Sequence, residues 1–247
     1  CNKEPGLHNV ELNTEPDALD AAGLDAQAAA LDERVRAARA ALDDVGLDLV
    51  LDGMWTVPPA EGSDAYLSDV TVTDGVTVAT NMRTTPRYCA IDNDILRRAD
   101  GAVDLDLPGF SGSFPTILVE SLTASVQPHL QIPDSASFPT YYDVGIRTLG
   151  PVLALTSNSP LLPADLYGDV DPETLLDGTF HELRIPVFEQ SINVGEAGDK
   201  VRFPGDIEEP TDPVDRLVAD RTCAPFLREW VDDGPAERYV DRIWELD

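Results

Sequence analysis

Polar side chains alternate with apolar ones near the middle of the chain, in the segment 120–133 (ESLTASVQPHLQIP). Gln127, His129 and Gln131 occupy every second position of this segment. Because successive side chains of a β-strand point to opposite faces, this spacing predicts a strand over 117–133 with two amides and an imidazole on one face. Such a row can bind water, a charged group or a metal ion.

Two further predicted strands carry charged side chains that could join this row. Glu11 lies in the first, over residues 7–14. Glu182 and Arg184 lie in the second, over residues 181–189. Carboxylates and an imidazole on neighbouring strands suit a hard cation such as Mg²⁺, and an arginine beside them can bind a phosphate or a carboxylate with two parallel hydrogen bonds. The structural alternative stays open, since a lone histidine is more often hydrogen-bonded than metal-bound and Glu-x-Arg pairs are common on exposed faces.

The elements that would position these side chains follow from hydrophobic periodicity and turn residues. An Ala-rich helix is expected over 18–45, where apolar residues recur at helical spacing before Gly46. Asp74-Gly75 between two alternating Val/Thr runs predicts a hairpin over 70–80. The other expected elements are a short strand at 47–53, helices at 87–100 and 143–158, a loop at 190–213 and one or two amphipathic helices from Val214 onward. Strands without regular βαβ alternation indicate an α+β fold.

The large negative net charge of the chain indicates the kind of solution in which the protein works. The 247 residues include 46 acidic and 17 basic side chains, a formal net charge of -29, and only Lys3 and Lys200 are lysines. The acidic residues are scattered, so we expect a solvated acidic surface adapted to a salt-rich cytoplasm, where ions screen the repulsion. Without a basic stripe, specific binding to nucleic acid or to an anionic membrane is not expected.

The cysteines argue against a disulfide framework or a zinc site. Cys1, Cys89 and Cys223 are odd in number and form no C-x-x-C pair, which favours a reducing interior. A chain that begins with Cys1 is expected to be cut from a longer protein, with a cleaved lipoprotein as the alternative.

Four segments together resemble a known family. They are ELNTEP (11–16), TASVQPHLQI (123–132), LGPVLALTSNSPLLP (149–163) and HELRIP (181–186). Their order and approximate spacing are similar to those of the glutamate–cysteine ligase type 2 family of carboxylate–amine ligases. The resemblance covers about residues 7–190. It implies a glutamine-synthetase-like fold, in which a curved antiparallel sheet forms a funnel with helices on its outer face. It also divides the chain into a ligase core at 1–190 and an acidic loop with C-terminal helices at 191–247.

The resemblance also implies roles for individual residues. Glu11, His129 and Glu182 resemble metal ligands for Mg²⁺ or Mn²⁺, and Arg184 resembles the catalytic arginine that meets glutamate or its γ-phosphate. The implied contacts to substrate or ATP come from Arg87, Gln127, Gln131 and Asn158. The expected reaction is ATP-dependent joining of glutamate to cysteine or another amine through γ-glutamyl phosphate, by a cytoplasmic enzyme that could form homo-oligomers.

The sequence departs from the family pattern at several points. An early strand with an E-x-E metal signature is expected to precede residue 1. The segment 54–59 lacks the family's histidine, Val187 stands where an acid is expected, and Gln131 is neutral. Two alternatives therefore accompany the ligase hypothesis. One is a non-catalytic or differently specific relative that binds an amino acid or a nucleotide. The other is a halophilic domain that matches the motifs by accident.

Overall fold

A computed structural model describes residues 2–194 and 200–219 of the chain. The strands are β1 (Asn2–Lys3), β2 (Val10–Glu11), β3 (Val70–Thr73), β4 (Val76–Ala79), β5 (Val103–Leu107) and β6 (Phe110–Phe114). The helices are α1 (Ala21–Asp43), α2 (Ser63–Leu67), α3 (Pro86–Arg98), α4 (Phe138–Thr156), α5 (Pro172–Gly178), α6 (Arg184–Ile192) and α7 (Asp212–Ala219). Within these ranges the strands pair antiparallel as three separate two-stranded sheets, β1–β2, β3–β4 and β5–β6. The mixture agrees with the α+β class, whereas the curved funnel stays a prediction.

The hairpin predicted at 70–80 is confirmed. Its register runs from Val70 opposite Ala79 to Thr73 opposite Val76. Asp74 and Gly75 have φ angles of 51° and 81°, the positive values that a type I′ turn requires at both central positions.

A second hairpin, β5–β6, lies outside the predicted elements. Buried and exposed residues alternate along β5, and Gly109 supplies a positive φ of 74° at the turn. The alternating sequence Val-Asp-Leu-Asp-Leu followed by Pro-Gly (103–109) is the signal that could have identified it.

Three predicted helices are confirmed with shifted ends. Helix α1 starts after Asp20, whose carboxylate accepts a hydrogen bond from the backbone N–H of Gly23 at 2.9 Å, a typical N-cap. Gly46, with a φ of 73°, follows its end as expected. Helix α3 agrees closely with 87–100, and α4 begins at Phe138 rather than near Asp143.

The strand predicted over 117–133 is wrong. Residues Ile117–Leu122 form a 3₁₀ helix, and residues 124–132 have no regular structure. The four aliphatic residues of the 3₁₀ helix are all buried, namely Ile117, Leu118, Val119 and Leu122. Periodicity cannot distinguish a helix from a strand in so short an apolar run. Pro128 lacks the N–H that a central strand would need.

The strand predicted over 181–189 is also wrong, because this segment enters α6. The buried residues of α6 are Val187 and Ser191, four positions apart, which is a helical spacing. The strand expected over 7–14 is reduced to Val10–Glu11, and residues 47–53 form no strand. In these short segments, contacts with distant parts of the chain determine the secondary structure more than the local residue pattern does.

The predicted loop at 190–213 is partly confirmed. Helix α6 extends to Ile192 and α7 begins at Asp212, while residues 200–211 contain no helix or strand. Helix α7 agrees with the amphipathic helix expected near Val214. The rest of that expectation, from 220 to 247, lies outside the described residues, as do Cys1 and Cys223.

The hydrophobic core lies between the two hairpins, the 3₁₀ helix, α3 and α6. Its largest fully buried side chains include Met54, Leu67, Leu105, Phe114, Leu118, Leu162 and Leu183. Helix α4 contributes no buried residue and α1 only Gly23. Among the described helices, none combines the length and hydrophobicity that a membrane span needs.

Candidate active site

Glu182 and Arg184 form a bidentate ion pair where α6 begins. Nε of Arg184 donates to Oε1 of Glu182 at 2.8 Å, and Nη2 donates to Oε2 at 2.6 Å. The Glu182 side chain is 6% exposed and that of Arg184 is 21% exposed. Burial on its own raises the pKa of Glu182, but the hydrogen bonds and charge of Arg184 outweigh burial and hold the pKa below its ordinary value. The carboxylate is therefore ionised at neutral pH.

The local backbone explains why this pair forms. Leu183, between the two charged residues, is fully buried, and its N–H donates to the carbonyl of Ser159 at 2.8 Å. The N–H of Arg184, at the first helical position of α6, donates to Oε1 of Glu182 at 3.2 Å. Because the first N–H groups of a helix have no partner within the helix, the Glu182 carboxylate both caps α6 and binds the guanidinium.

A second segment, around Ala124, holds the other side of the guanidinium. Nη1 of Arg184 donates to the carbonyl of Ala124 at 2.7 Å. The N–H of Ala124 donates to the carbonyl of Gly53 at 2.7 Å, and Met54 and Thr123 form a β-bridge beside them. The start of the segment 123–132 thus reaches Arg184, although it is not a strand.

A third segment, at the end of α4, reaches the same pair. Ser159 is buried and forms a parallel β-bridge with Glu182. The backbone N–H of Asn158 helps to lower the pKa of Glu182, and the Ser159 hydroxyl donates to Oδ1 of Asn158 at 2.9 Å. Three of the four motif segments therefore converge on Arg184.

Glu11 and Arg87 belong to a different charged group, centred on Glu4. Burial raises the pKa of Glu4, the negative charge of Glu11 raises it further, and the positive charge of Arg87 lowers it. Burial also raises the pKa of Glu120 to about 7, and the charge of Glu4 adds to this effect. Five of the predicted site residues thus fall into two groups. Asn158, Glu182 and Arg184 lie in an Arg184 cluster, and Glu11 and Arg87 lie in a Glu4 cluster. The full Arg184 cluster is Gly53, Ala124, Asn158, Ser159, Glu182 and Arg184, and the full Glu4 cluster is Glu4, Glu11, Arg87 and Glu120.

The polar row that the sequence predicted lies at the surface. Gln127, His129 and Gln131 are all exposed, in backbone without regular structure. They do not share the face of a strand, so the geometric argument that grouped them does not hold. Their roles in binding remain predictions from the resemblance.

The described side chains do not fit a complete metal centre. Residues 2–194 and 200–219 contain no group of three or more His, Cys, Asp and Glu side chains that could hold a metal ion. Both carboxylate oxygens of Glu182 already accept hydrogen bonds from Arg184. Glu11, His129 and Glu182 are therefore not assembled as one ligand set in this part of the chain.

Several members of these clusters were not among the sequence candidates. Glu120 could have been found from the sequence, because an acid within the apolar run ILVESL (117–122) is expected to be at least partly buried beside its neighbours. Ala124 acts through its backbone, which sequence does not reveal. Gly53 follows Asp52 as an ordinary turn-like pair, and only the fold shows what approaches it.

The fold and the site define a class of protein: an α+β chain with an arginine-centred site built from widely separated segments. The chain matches the family model described as Glutamate-cysteine ligase family 2 (GCS2) over residues 1–245, and it therefore belongs to that family. No curated protein and no solved structure matches it. The match confirms the resemblance and extends beyond residues 7–190. Family membership assigns the chain to the carboxylate–amine ligases as a general class.

Proposed function

We propose that this protein catalyses the ATP-dependent formation of γ-glutamylcysteine from glutamate and cysteine. The observation that carries the proposal is the convergence of the segments around Ala124, Asn158 and Glu182 on one guanidinium. Family membership supplies the reaction class, and Arg184 supplies a positively charged group with a fixed orientation for an anionic substrate.

The proposed reaction has two steps. A γ-carboxylate oxygen of glutamate attacks the γ-phosphorus of ATP, so that a new P–O bond forms and ADP leaves. The amine of cysteine then attacks the acyl carbon of γ-glutamyl phosphate, the C–N bond forms, and inorganic phosphate leaves as the amine loses a proton. Neither step needs a nucleophile from the protein, which agrees with the lack of a nucleophile–base motif in the sequence.

Arg184 is suited to bind the oxygens that carry charge in these steps. A guanidinium has five N–H donors, and Nε, Nη1 and Nη2 each use one to bind Glu182 or Ala124. Two N–H bonds remain without a partner among the described residues. Donors that are held in place before the reaction stabilise developing charge without having to reorganise.

A requirement for Mg²⁺ or Mn²⁺ is part of the proposal, because the family resemblance implies it. The described residues hold no complete ligand set, so we derive no step through a metal ion. We expect ADP release to depend on added Mg²⁺, and titration of the full-length protein with Mg²⁺ measures this dependence.

The convergence of three segments on Arg184 also supports a second candidate function. A relative that lacks a metal centre could keep the Arg184 cluster and bind an amino acid or a nucleotide without catalysis. In that case calorimetry would detect binding of glutamate or ATP, while no ADP would be released with any amine.

The test follows ADP release by the full-length protein in multimolar KCl with ATP, Mg²⁺ and glutamate, with and without cysteine. We expect cysteine-dependent release, and we expect R184K to lower kcat by about 10²-fold or more, because a Lys cannot keep the bidentate geometry. E182Q should also lower kcat, since it removes the charge that orients Arg184. H129A tests the role of the exposed imidazole.

A matched control is R147K. Arg147 lies on α4, and its pairing with Asp206 at 2.7 Å is at the surface, so this substitution should leave the rate unchanged. ADP release with a different amine would keep the ligase and change its acceptor. Absence of ADP release with every amine tested would contradict the proposed catalysis.

A further inference from the structure

Gly53 lies where three members of the Arg184 cluster meet. A Cβ atom built on Gly53 would lie 2.5 Å from Oδ1 of Asn158, 2.5 Å from Oγ of Ser159 and 2.9 Å from Cζ of Arg184. Real Cβ atoms do not make contacts this short, so any side chain at this position must displace its neighbours. The φ angle of Gly53 lies outside the left-handed region, so the close approach, and not backbone strain, requires glycine here.

The three neighbours cannot all yield without cost. The guanidinium of Arg184 is held on three sides by Glu182 and the Ala124 carbonyl. Ser159 is buried and bridged to Glu182. Gly53 itself is fixed, because its carbonyl accepts the N–H of Ala124 at 2.7 Å. A methyl group at position 53 would therefore move the guanidinium or the Asn158–Ser159 turn.

We propose that Gly53 is a positioning residue for the Arg184 guanidinium. Its missing side chain leaves the volume that the guanidinium, Asn158 and Ser159 share, and its carbonyl fixes the Ala124 segment that binds Nη1. Gly53 touches no substrate in this assignment and acts through Arg184. This inference deepens the proposed function, and its kinetic arm rests on that function.

The first test measures the arginine side chain directly and needs no activity. In the ¹⁵N-labelled full-length protein, the Nε–H signal of Arg184, identified by its loss in R184K, should exchange slowly with water because Glu182 accepts this hydrogen bond. In G53A we expect the signal to shift and to lose its slow exchange, reaching the rate of the exposed Arg147. An unchanged Arg184 signal in folded G53A would overturn the inference.

The matched control is G205A. Gly205 is exposed, nothing lies within 4 Å of a Cβ built there, and its φ is not in the left-handed region. The Arg184 signal should therefore be unchanged in G205A. If G53A fails to fold, the double variant G53A/R184A replaces it, and thermal unfolding compares this double variant with R184A alone. Shortening the arginine should rescue part of the lost stability if Gly53 makes room for the guanidinium, and no rescue would contradict this role.

The kinetic arm uses a double-mutant cycle. A small misplacement of a positioning group can cost about 10²-fold in rate, so we expect G53A to lower kcat/KM for glutamate to a similar extent as R184K. If Gly53 acts through Arg184, the G53A/R184K double variant should lose no more than R184K alone. Additive losses would contradict action through Arg184. An inactive wild type would count against the proposed function, while the Arg184 signal would still test the role of Gly53.

Discussion

At the residue scale, the buried Asp92 and the half-buried Glu120 are two acids whose pKa values burial raises. Asp92 accepts hydrogen bonds from Oγ1 of Thr116 and the N–H of Ile117, both at 2.8 Å, and burial raises its pKa to about 6. Asp92 thereby fixes the start of the 3₁₀ helix. Burial raises the pKa of Glu120 to about 7, with a further contribution from Glu4, so a neutral solution leaves Glu120 partly protonated.

The pKa of Glu120 predicts a specific pH dependence of stability. Because the folded-state pKa of about 7 lies above the ordinary pKa of 4.5 for a glutamate side chain, the stability that Glu120 contributes is fully present below about pH 4.5 and is lost as the pH rises through 7. Relative to E120Q, the wild type should therefore lose up to about 3 kcal/mol of unfolding free energy between pH 5 and pH 8, at about 1.36 kcal/mol per pKa unit.

Urea unfolding at a series of pH values measures this difference. E33Q is a suitable control, because Glu33 is exposed on α1 and its substitution should leave the pH dependence of the wild type unchanged. Parallel curves for the wild type and E120Q would contradict a raised pKa at position 120.

Residue types predicted part of the site and missed the rest for a physical reason. Glu182 and Arg184 are two positions apart, so their neighbourhood was predictable from spacing, even though a helix start and not a strand brings them together. His129 illustrates the limit. The alternation of polar and apolar residues predicted that His129 lies on one face of a strand. The backbone around Pro128 is irregular and exposed, so no such strand face exists there.

At the element scale, strong local signals succeeded and short apolar runs failed. The β3–β4 hairpin was predictable because Asp-Gly prefers the positive φ angles of a type I′ turn, whatever lies around it. The segment that becomes α6 and the 3₁₀ helix at 117–122 were not predictable, since each short run is buried by contacts from distant parts of the chain. Longer helices such as α1 repeat the helical spacing of apolar residues over several turns, so their secondary structure is predictable without knowledge of distant contacts.

The turn of the β3–β4 hairpin supports a stability prediction. Gly75 has a φ of 81°, and nothing lies within 4 Å of a Cβ built there, so G75A changes only the conformational cost. A residue with a Cβ in the left-handed region costs roughly 1–2 kcal/mol, and we expect G75A to lower the unfolding free energy by about that amount.

Urea denaturation measures the loss, with G205A again as the control that lacks a positive φ. G75N is a second control, because asparagine tolerates the left-handed region and should restore part of the stability. Equal stability of G75A and the wild type would show that the turn does not adopt this conformation in solution.

At the scale of the whole molecule, the formal net charge of -29 dominates behaviour in solution. Repulsion among exposed carboxylates destabilises a compact state, and added ions screen it. The Debye length shortens from about 10 Å at 0.1 M salt to about 3 Å at 1 M. We therefore expect the Tm to rise with KCl concentration, with most of the rise below about 1 M.

Circular dichroism with temperature at increasing KCl tests this expectation. Sucrose at matched osmolality is the control, because it carries no charge and cannot screen the carboxylates. A Tm that stays constant or falls as KCl is added would contradict adaptation to a salt-rich environment.

The Arg184 cluster also has a consequence for how the chain folds. The Glu182–Arg184 pair closes a very short loop and can form as soon as α6 does, whereas the hydrogen bond from Arg184 to Ala124 joins residues 60 positions apart. Closing long loops costs chain entropy before their contacts can repay it. We therefore expect the guanidinium to pair with Glu182 early in folding and with the Ala124 carbonyl late, so that the arrangement that could bind an anion forms only when most of the fold is in place.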